Sequence, residues 1–379
     1  MYIVCSKEKL LNGLGLVART VSSKSSLPIL ECILMTAGGE VFPDNERSFT
    51  GVRLTANDLE MSIETATIEA EVRQSGNVAI DAKLLLEIAR KMPADYIEIE
   101  TDDNNLTVFR SGRAKFKVLG MAGDEFPVMP ELDLTQNCYV LKAVELKEMI
   151  RQTIFSVATD ETKLILTGEL MEYKDNCLRM VAVDGFRVAF RQQAMEAGLN
   201  PMKVVVPSKA LNELSRILPS DKDTEVRFYF TDKRIVFMLP EFTFISRLLE
   251  GEFMRYDQIF NEDFTTIVTA DRLSLLTGVE RAILIARENK KSPVKLTIQD
   301  TVILTSKTEI GETYDEIPAD IDGQPLEIAF NPRYLIDAFR ASDDEKIVLK
   351  FTTALSPSNI KGGSSNDCKF LILPLRVIY

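Results

Sequence analysis

Histidine and tryptophan are both missing from the 379 residues. Without imidazole the chain has lost the commonest general base and metal ligand. Ser-His-Asp and Cys-His mechanisms are excluded outright, as are zinc sites built on histidine. The five cysteines, Cys5, Cys32, Cys138, Cys177 and Cys368, form no C-x-x-C pair. An odd, scattered set fits reduced thiols in a cytoplasmic protein, and no metal site is expected. No G-x-x-x-x-G-K-[ST] loop occurs, and the glycines of NGLGLVAR (12–19) read as an ordinary helix. No run approaches the ~18 apolar residues of a membrane span, and MYIVCSKEKLL lacks the pattern of a secretory leader. Neither a cofactor nor a membrane partner is expected.

What is present is an internal repeat. Three segments, 80–127, 206–253 and 330 to the end, each open with a short amphipathic helix and continue into strands. Apolar residues recur at helical spacing: Leu85, Ile88 and Met92; Leu211, Leu214 and Leu218; Leu335 and Phe339. Asp81, Ser208 after Pro207, and Asn331 before Pro332 supply start signals. Arg90, Arg216 and Arg340 recur in step, and Phe116, Phe244 and Phe370 are expected to begin the last strands. The preceding segments repeat too, with helices expected over 7–21, 142–157 and 271–286 and alternating strands after each. The unit is therefore helix, strands, helix, strands. Three α+β domains are expected, 1–130, 131–260 and 261–379.

Charge divides by element. The chain carries −12, which argues against a generic polyanion binder. The six helical windows nevertheless total +6, leaving −18 elsewhere. Helices on solvated faces often collect Lys and Arg. Three copies set around an axis would instead put all six helices on one side, as a basic lining on an acidic shell. Such a lining suits a polyanion held by its phosphates, without sequence reading.

Several stretches carry a family resemblance: SSLPILECILM (25–35), LTANDLEMSI (54–63), VAVDGFRVAF (181–190), LLEGEFMRY (248–256), IAFNPRYLIDAF (328–339) and LPLRVIY (373–379). In this order and at these intervals the chain resembles the bacterial DNA polymerase III beta subunits, the replication sliding clamps. The resemblance implies an α+β fold of three clamp domains, each with two helices packed on antiparallel sheets, forming half of a ring. Two chains would close head to tail around duplex DNA, held without sequence preference. The implied role is a non-catalytic processivity factor, cytoplasmic and nucleoid-associated. The implied partners are the replicative polymerase alpha subunit, the clamp loader, repair and translesion polymerases and mismatch-repair proteins.

The resemblance also implies site residues. DNA would be faced by Lys24, Lys83, Arg90, Lys209 and Arg216, with Arg272 and Arg340 as further candidates. Phe116 and Val118 would meet Ile283 and Leu284 of a second chain. A peptide pocket would be built from Leu166, Val183, Gly185, Phe186, Arg187 and Val188, from Ile259, Asn331, Tyr334 and Leu355, and from Leu371, Leu373, Pro374, Leu375 and Arg376. Gly185 is expected to permit close backbone approach, Pro374 to mark a sheet edge, and Arg187 and Arg376 to steer a peptide's polar groups. The chain departs from the family pattern at Phe186 (usually His or Tyr), Val188 (usually Leu), Leu373 (usually Met), Met254-Arg255 (usually Pro-Asp) and Gln258 (usually Arg). The 38–51 stretch is an expanded loop, and Ile378-Tyr379 extend past the family's common end. Two rival readings are an enzyme using Asp184 beside Arg187, though Asp-Gly more often marks a turn, and a ring-forming scaffold that does not act on DNA.

Overall fold

The computed structural model describes residues 1–21, 25–38, 50–127, 138–231, 233–260, 263–285, 293–364 and 366–376. Lys24, residues 128–137 around the first expected domain boundary, most of the 38–51 stretch and Ile378-Tyr379 lie outside them.

The first copy opens with β1 (Tyr2–Ser6) and α1 (Lys7–Val17). Next come β2 (Cys32–Ala37), β3 (Val52–Asn57), β4 (Met61–Thr65), β5 (Ala70–Gln74) and β6 (Gly76–Asp81). It closes with α2 (Ala82–Lys91), β7 (Tyr96–Thr101), β8 (Leu106–Ser111) and β9 (Ala114–Leu119). The second copy runs β10 (Tyr139–Lys142), α3 (Ala143–Thr153), β11 (Gly168–Lys174), β12 (Cys177–Val183), β13 (Arg187–Ala194) and β14 (Met202–Pro207). It ends with α4 (Ser208–Ile217), β15 (Glu225–Phe230), β16 (Arg234–Met238) and β17 (Phe242–Arg247). The third runs β18 (Thr266–Asp271), α5 (Arg272–Ile283), β19 (Val294–Ile298), β20 (Val302–Thr308), β21 (Gly311–Ile317), β22 (Ala319–Gly323) and β23 (Leu326–Phe330). It closes with α6 (Pro332–Ala341), β24 (Lys346–Phe351), β25 (Ser358–Gly362) and β26 (Cys368–Ile372).

Side-chain caps explain where most helices start. Asp81 accepts from the Leu84 amide at 2.7 Å, and Asn331 accepts from the Arg333 amide at 3.1 Å with Pro332 in the first turn. Ser6 and Asp271 cap α1 and α5 in the same way. Each such cap is worth about 1 kcal/mol. Ser208 is the first residue of α4 rather than its cap. The helices end sooner than their apolar spacing suggests. Beyond α1, the Thr20 hydroxyl and amide both turn back to the Val17 carbonyl. In α3 the Thr153 hydroxyl bonds the Met149 carbonyl at 2.6 Å, and the chain tightens into a 3₁₀ turn, Ile154–Ser156. Trimmed to these bounds, the six helices still total +6.

The chain folds as two compact units, Met1–Lys142 with Arg216–Leu248, and Ala143–Ser215 with Leu249–Tyr379. The middle copy therefore lends strands to both. The first unit holds a five-stranded sheet, β5-β1-β7-β8-β9, and an eight-stranded sheet, β10-β15-β16-β17-β4-β3-β2-β6. Here α1 packs on α2, β3 and β4, with Leu10, Leu14 and Val17 fully buried. The second unit holds a nine-stranded sheet, β14-β11-β12-β13-β26-β25-β24-β18-β22, and a four-stranded sheet, β21-β20-β19-β23. Its main core sets Leu275, Val279, Leu335 and Phe339 from α5 and α6 against Ile347, Leu349, Ile360, Phe370 and Ile372 from the strands.

Two strand pairs join copies. In the first unit β17 pairs with β4, setting Phe244 opposite Ile63. In the second, β26 pairs with β13, setting Phe370 opposite Ala189. Phe116, Phe244 and Phe370 occupy one place in β9, β17 and β26, the third residue of each strand and not the first as the spacing suggested. A second expectation also needs correction. β26 lies in the interior of its sheet, so Pro374 follows a central strand and marks no edge.

Candidate functional site

An apolar patch in the second unit gathers much of the expected pocket. Val188 on β13 lies directly opposite Leu371 on β26, and Val183 ends β12. These three are buried with Leu170, Val181, Phe190 and Val205. Strand alternation puts them on the sheet face opposite Phe370 and Ile372. Leu166, Ile259 and Leu373 pack half-buried against that floor. Phe186, 56% exposed, and Leu355 are left in solvent. The sequence reading missed Ile165, Leu249, Phe253, Tyr256 and Phe260, which complete the cluster. Its available signal was the aromatic spacing after LLEGEF: the Tyr256 and Phe260 rings sit 5.9 and 5.8 Å from Phe190. Burial, together with the hydrogen bond to Glu172, pushes the Tyr256 phenol far above its usual range.

The chain beyond β26 is pinned as a strap. Leu373 donates its amide to the Phe186 carbonyl at 2.9 Å, and Leu375 donates to the Ala329 carbonyl at 2.7 Å. Ala329 belongs to β23 of the four-stranded sheet, so the strap ties two sheets of this unit together. Pro374 stands between these bonds and has no amide hydrogen to leave unpaired. Arg376 is exposed. Asn331 and Tyr334 lie at the start of α6, beside the strap's anchor in β23.

At the turn from β12 to β13, Gly185 has φ +90°, a conformation that favours glycine, and no atom of this chain fills the space beside it. Asp184 organises the turn, accepting from the Phe186 and Arg187 amides at 2.8 and 2.9 Å. Arg187 is not free to steer a peptide. Its guanidinium bonds Asp184 at 2.9 Å, Asp337 at 2.6 Å and the Phe155 carbonyl at 2.5 Å. It also lies 4.5 Å over the Tyr334 ring. It braces the turn against α6. The same contacts commit Asp184 to structure, against the enzyme reading.

Phe116 on β9 is 40% exposed, and Val118 is half-buried. Ile283 packs partly into the core of the second unit, while Leu284, just past α5, is 78% exposed. Among the described residues β9 and β21 each have a strand on one side only, as outer members of the five- and four-stranded sheets. Tyr314 on β21 and Ile310 before it are exposed as well.

Of the candidate cations, Lys83 on α2 and Lys209 and Arg216 on α4 are exposed. Arg90 pairs with Glu87 at 3.2 Å and Arg340 with Glu280 at 2.6 Å, both largely in solvent. Arg272 does not fit a contact role. Its guanidinium donates to the Asp344 and Phe339 carbonyls at 2.9 and 3.5 Å, closing the end of α6.

Three-copy architecture with sheets shared between copies defines the class, a clamp fold. Family models for the DNA polymerase III beta subunit match residues 1–130 (N-terminal domain), 140–254 (central domain) and 257–376 (C-terminal domain). The beta sliding clamp of Halalkalibacterium halodurans is 33% identical over 390 residues, covering 99% of this chain and all of that one. A crystal structure of a DNA polymerase III beta subunit from Eubacterium rectale is 38% identical, with a TM-score of 0.93 and 99% of each chain covered. The Bacillus subtilis sliding clamp structure is 31% identical, with the same score over the full length of both. The chain belongs to the DNA polymerase III beta subunit family, the beta sliding clamps.

Proposed function

We propose that two copies of this chain close head to tail into a ring around duplex DNA, where it acts as a non-catalytic processivity factor. The observation that carries the reading is the unfilled strand edge at β9. Two of the three equivalent strands, β17 and β26, pair with β4 and β13. The turns preceding β4, β13 and β21 are equivalent, with Asn57 opposite Ser62, Val183 opposite Val188, and Lys307 opposite Glu312. Thr313 then holds the place of Ile63 and Ala189. Continued once more, the rule pairs β9 with β21 of a second chain, Phe116 opposite Thr313 and Lys117 opposite Glu312. Each chain would use both its edges, a heterologous contact that closes when made twice, and no open edge would remain there. The proposed domains are 1–130, 131–260 and 261–379.

A closed ring needs no tight phosphate bonds. Weak, screened contacts from helix cations such as Lys83, Arg90, Lys209, Arg216 and Arg340 suffice for centring. The apolar patch beside the strap would receive a short apolar segment from polymerases, the clamp loader and repair proteins. Two buried anchors at about 1.5–3 kcal/mol each, set against association costs, give an affinity of order micromolar. That suits partners that exchange. Sedimentation tests closure: the dimer has a mass of about 85 kDa, twice 42.6. On circular DNA the loaded protein should survive salt that strips ordinary binders, and linearising the DNA should release it. Retention on linear DNA refutes the encircling mechanism.

A further inference from the structure

Beside the apolar patch the same sheet face changes character. Across β13, β26, β25 and β24 one row reads Phe190, Lys369, Lys361, Val348. The next reads Val188, Leu371, Asn359, Lys350. Lys361 therefore lies directly opposite Lys369, and Lys350 stands one strand further on. Like charges placed opposite one another destabilise a sheet. Lys346, on the same face of β24, has Asp271 opposite it in register. None of Lys350, Lys361 and Lys369 makes an ion pair among the described residues. Lys361 donates to the Asn366 side chain at 2.7 Å, and Lys350 lies 5.0 Å over the Phe264 ring. Burial, then the nearby Lys350 and Lys369, lower the Lys361 pKa. On a chain of net charge −12, three crowded ammonium groups beside an apolar floor call for an anionic neighbour.

We propose that peptides seated in the patch carry one or more Asp or Glu residues just outside their apolar segment, received by Lys369, Lys361 and Lys350. The proposal rests on the peptide reading above. Its occupant follows from continuity: Leu371 lies between Lys369 and Leu373 along the run from β26 into the strap, so one extended segment can reach patch and lysines together. β24 is two strands from β26, about 10 Å, a span an extended peptide crosses in roughly three residues. A nucleic acid would use the ammonium groups and leave the apolar floor empty.

The test is a displayed peptide library, with a randomised core and randomised flanks, selected on the whole protein and on K350S/K361S/K369S. Removing the opposed lysines relieves repulsion, so the variant should fold, which its melting curve checks. Selected peptides should have apolar cores and acidic flanks on the parent protein, and apolar cores alone on the variant. A synthetic peptide of the selected sequence should bind the variant about five- to tenfold more weakly at low salt, with the difference shrinking as salt rises. Apolar cores without acidic flanks overturn the lysine proposal and leave the pocket standing. Acidic flanks that persist on the variant overturn it too. Failure to select apolar cores at all removes both. A labelled duplex whose binding weakens in the variant, with peptide binding unchanged, assigns the lysines to nucleic acid instead.

Discussion

Phe116, Phe244 and Phe370 fill one position in three copies, yet their surroundings differ: 0% and 1% exposure for Phe244 and Phe370 against 40% for Phe116. The residue and its place in the strand are the same. The difference is the neighbouring strand, supplied by β4 and β13 in two cases and by nothing among the described residues in the third. Burial at this position is thus a property of the junction between copies, and Phe116 is exposed because β9 is an outer strand among the described residues.

The largest expected effect separates filled from open junctions. Phe370→Ala and Phe244→Ala should each cost about 3–5 kcal/mol of folding stability. Phe116→Ala should cost the single chain under about 1 kcal/mol while sharply weakening self-association. Denaturant titration and sedimentation read the two effects separately; equal losses of folding stability at all three sites would break the comparison. Next, Lys117→Glu should lower dimer affinity roughly tenfold, and Glu312→Lys in the same chain should restore it, since each interface would then hold the reversed pair. Failure of the swap to rescue means a different register at that junction.

Leu373→Ala with Leu375→Ala should abolish binding of a partner peptide while leaving the dimer intact. Both strap hydrogen bonds use backbone amides that alanine keeps. A fall to monomers would show that the strap serves the open junction as well. The last prediction concerns pH. Glu169 on β11 is fully buried, and burial lifts its pKa from 4.5 to about 8. The Thr153 hydroxyl beside it offsets little, because it donates to Met149. An unfolded chain ionises this group near 4.5, whereas the folded chain keeps its proton to about 8. Stability therefore falls as pH rises across that window. Glu169→Gln should flatten this slope in thermal melts from pH 5 to 8 and raise the melting temperature at pH 8. A slope unchanged by the substitution would place the titration elsewhere.

Much of this was legible in the sequence because it is written locally. Helical apolar spacing, the caps at Asp81 and Asn331, and the in-step arginines and phenylalanines all act within a few residues. The floor residues Val183, Val188 and Leu371 were reached through family resemblance. What stayed hidden depends on distant partners. Nothing near Arg187 announces that Asp337, 150 residues away, will hold its guanidinium. Nothing near Arg272 announces that carbonyls at the end of α6 will occupy it. Pro374 suggested an edge because a proline interrupts a ladder wherever it falls; only the pairing of β26 with both β13 and β25 shows a central strand. The 3₁₀ turn after α3 followed from one hydroxyl, Thr153, turning back on its own helix.

The position of β26 bears on how the protein is made. It lies fifth across a nine-stranded sheet yet follows the other eight in the chain. As the polypeptide emerges from the ribosome, β13 and β25 must wait with facing edges unsatisfied until residues 368–372 arrive between them. Truncated products that stop short of this strand would keep those edges sticky, and should be cleared by proteolysis before they can compete with finished subunits.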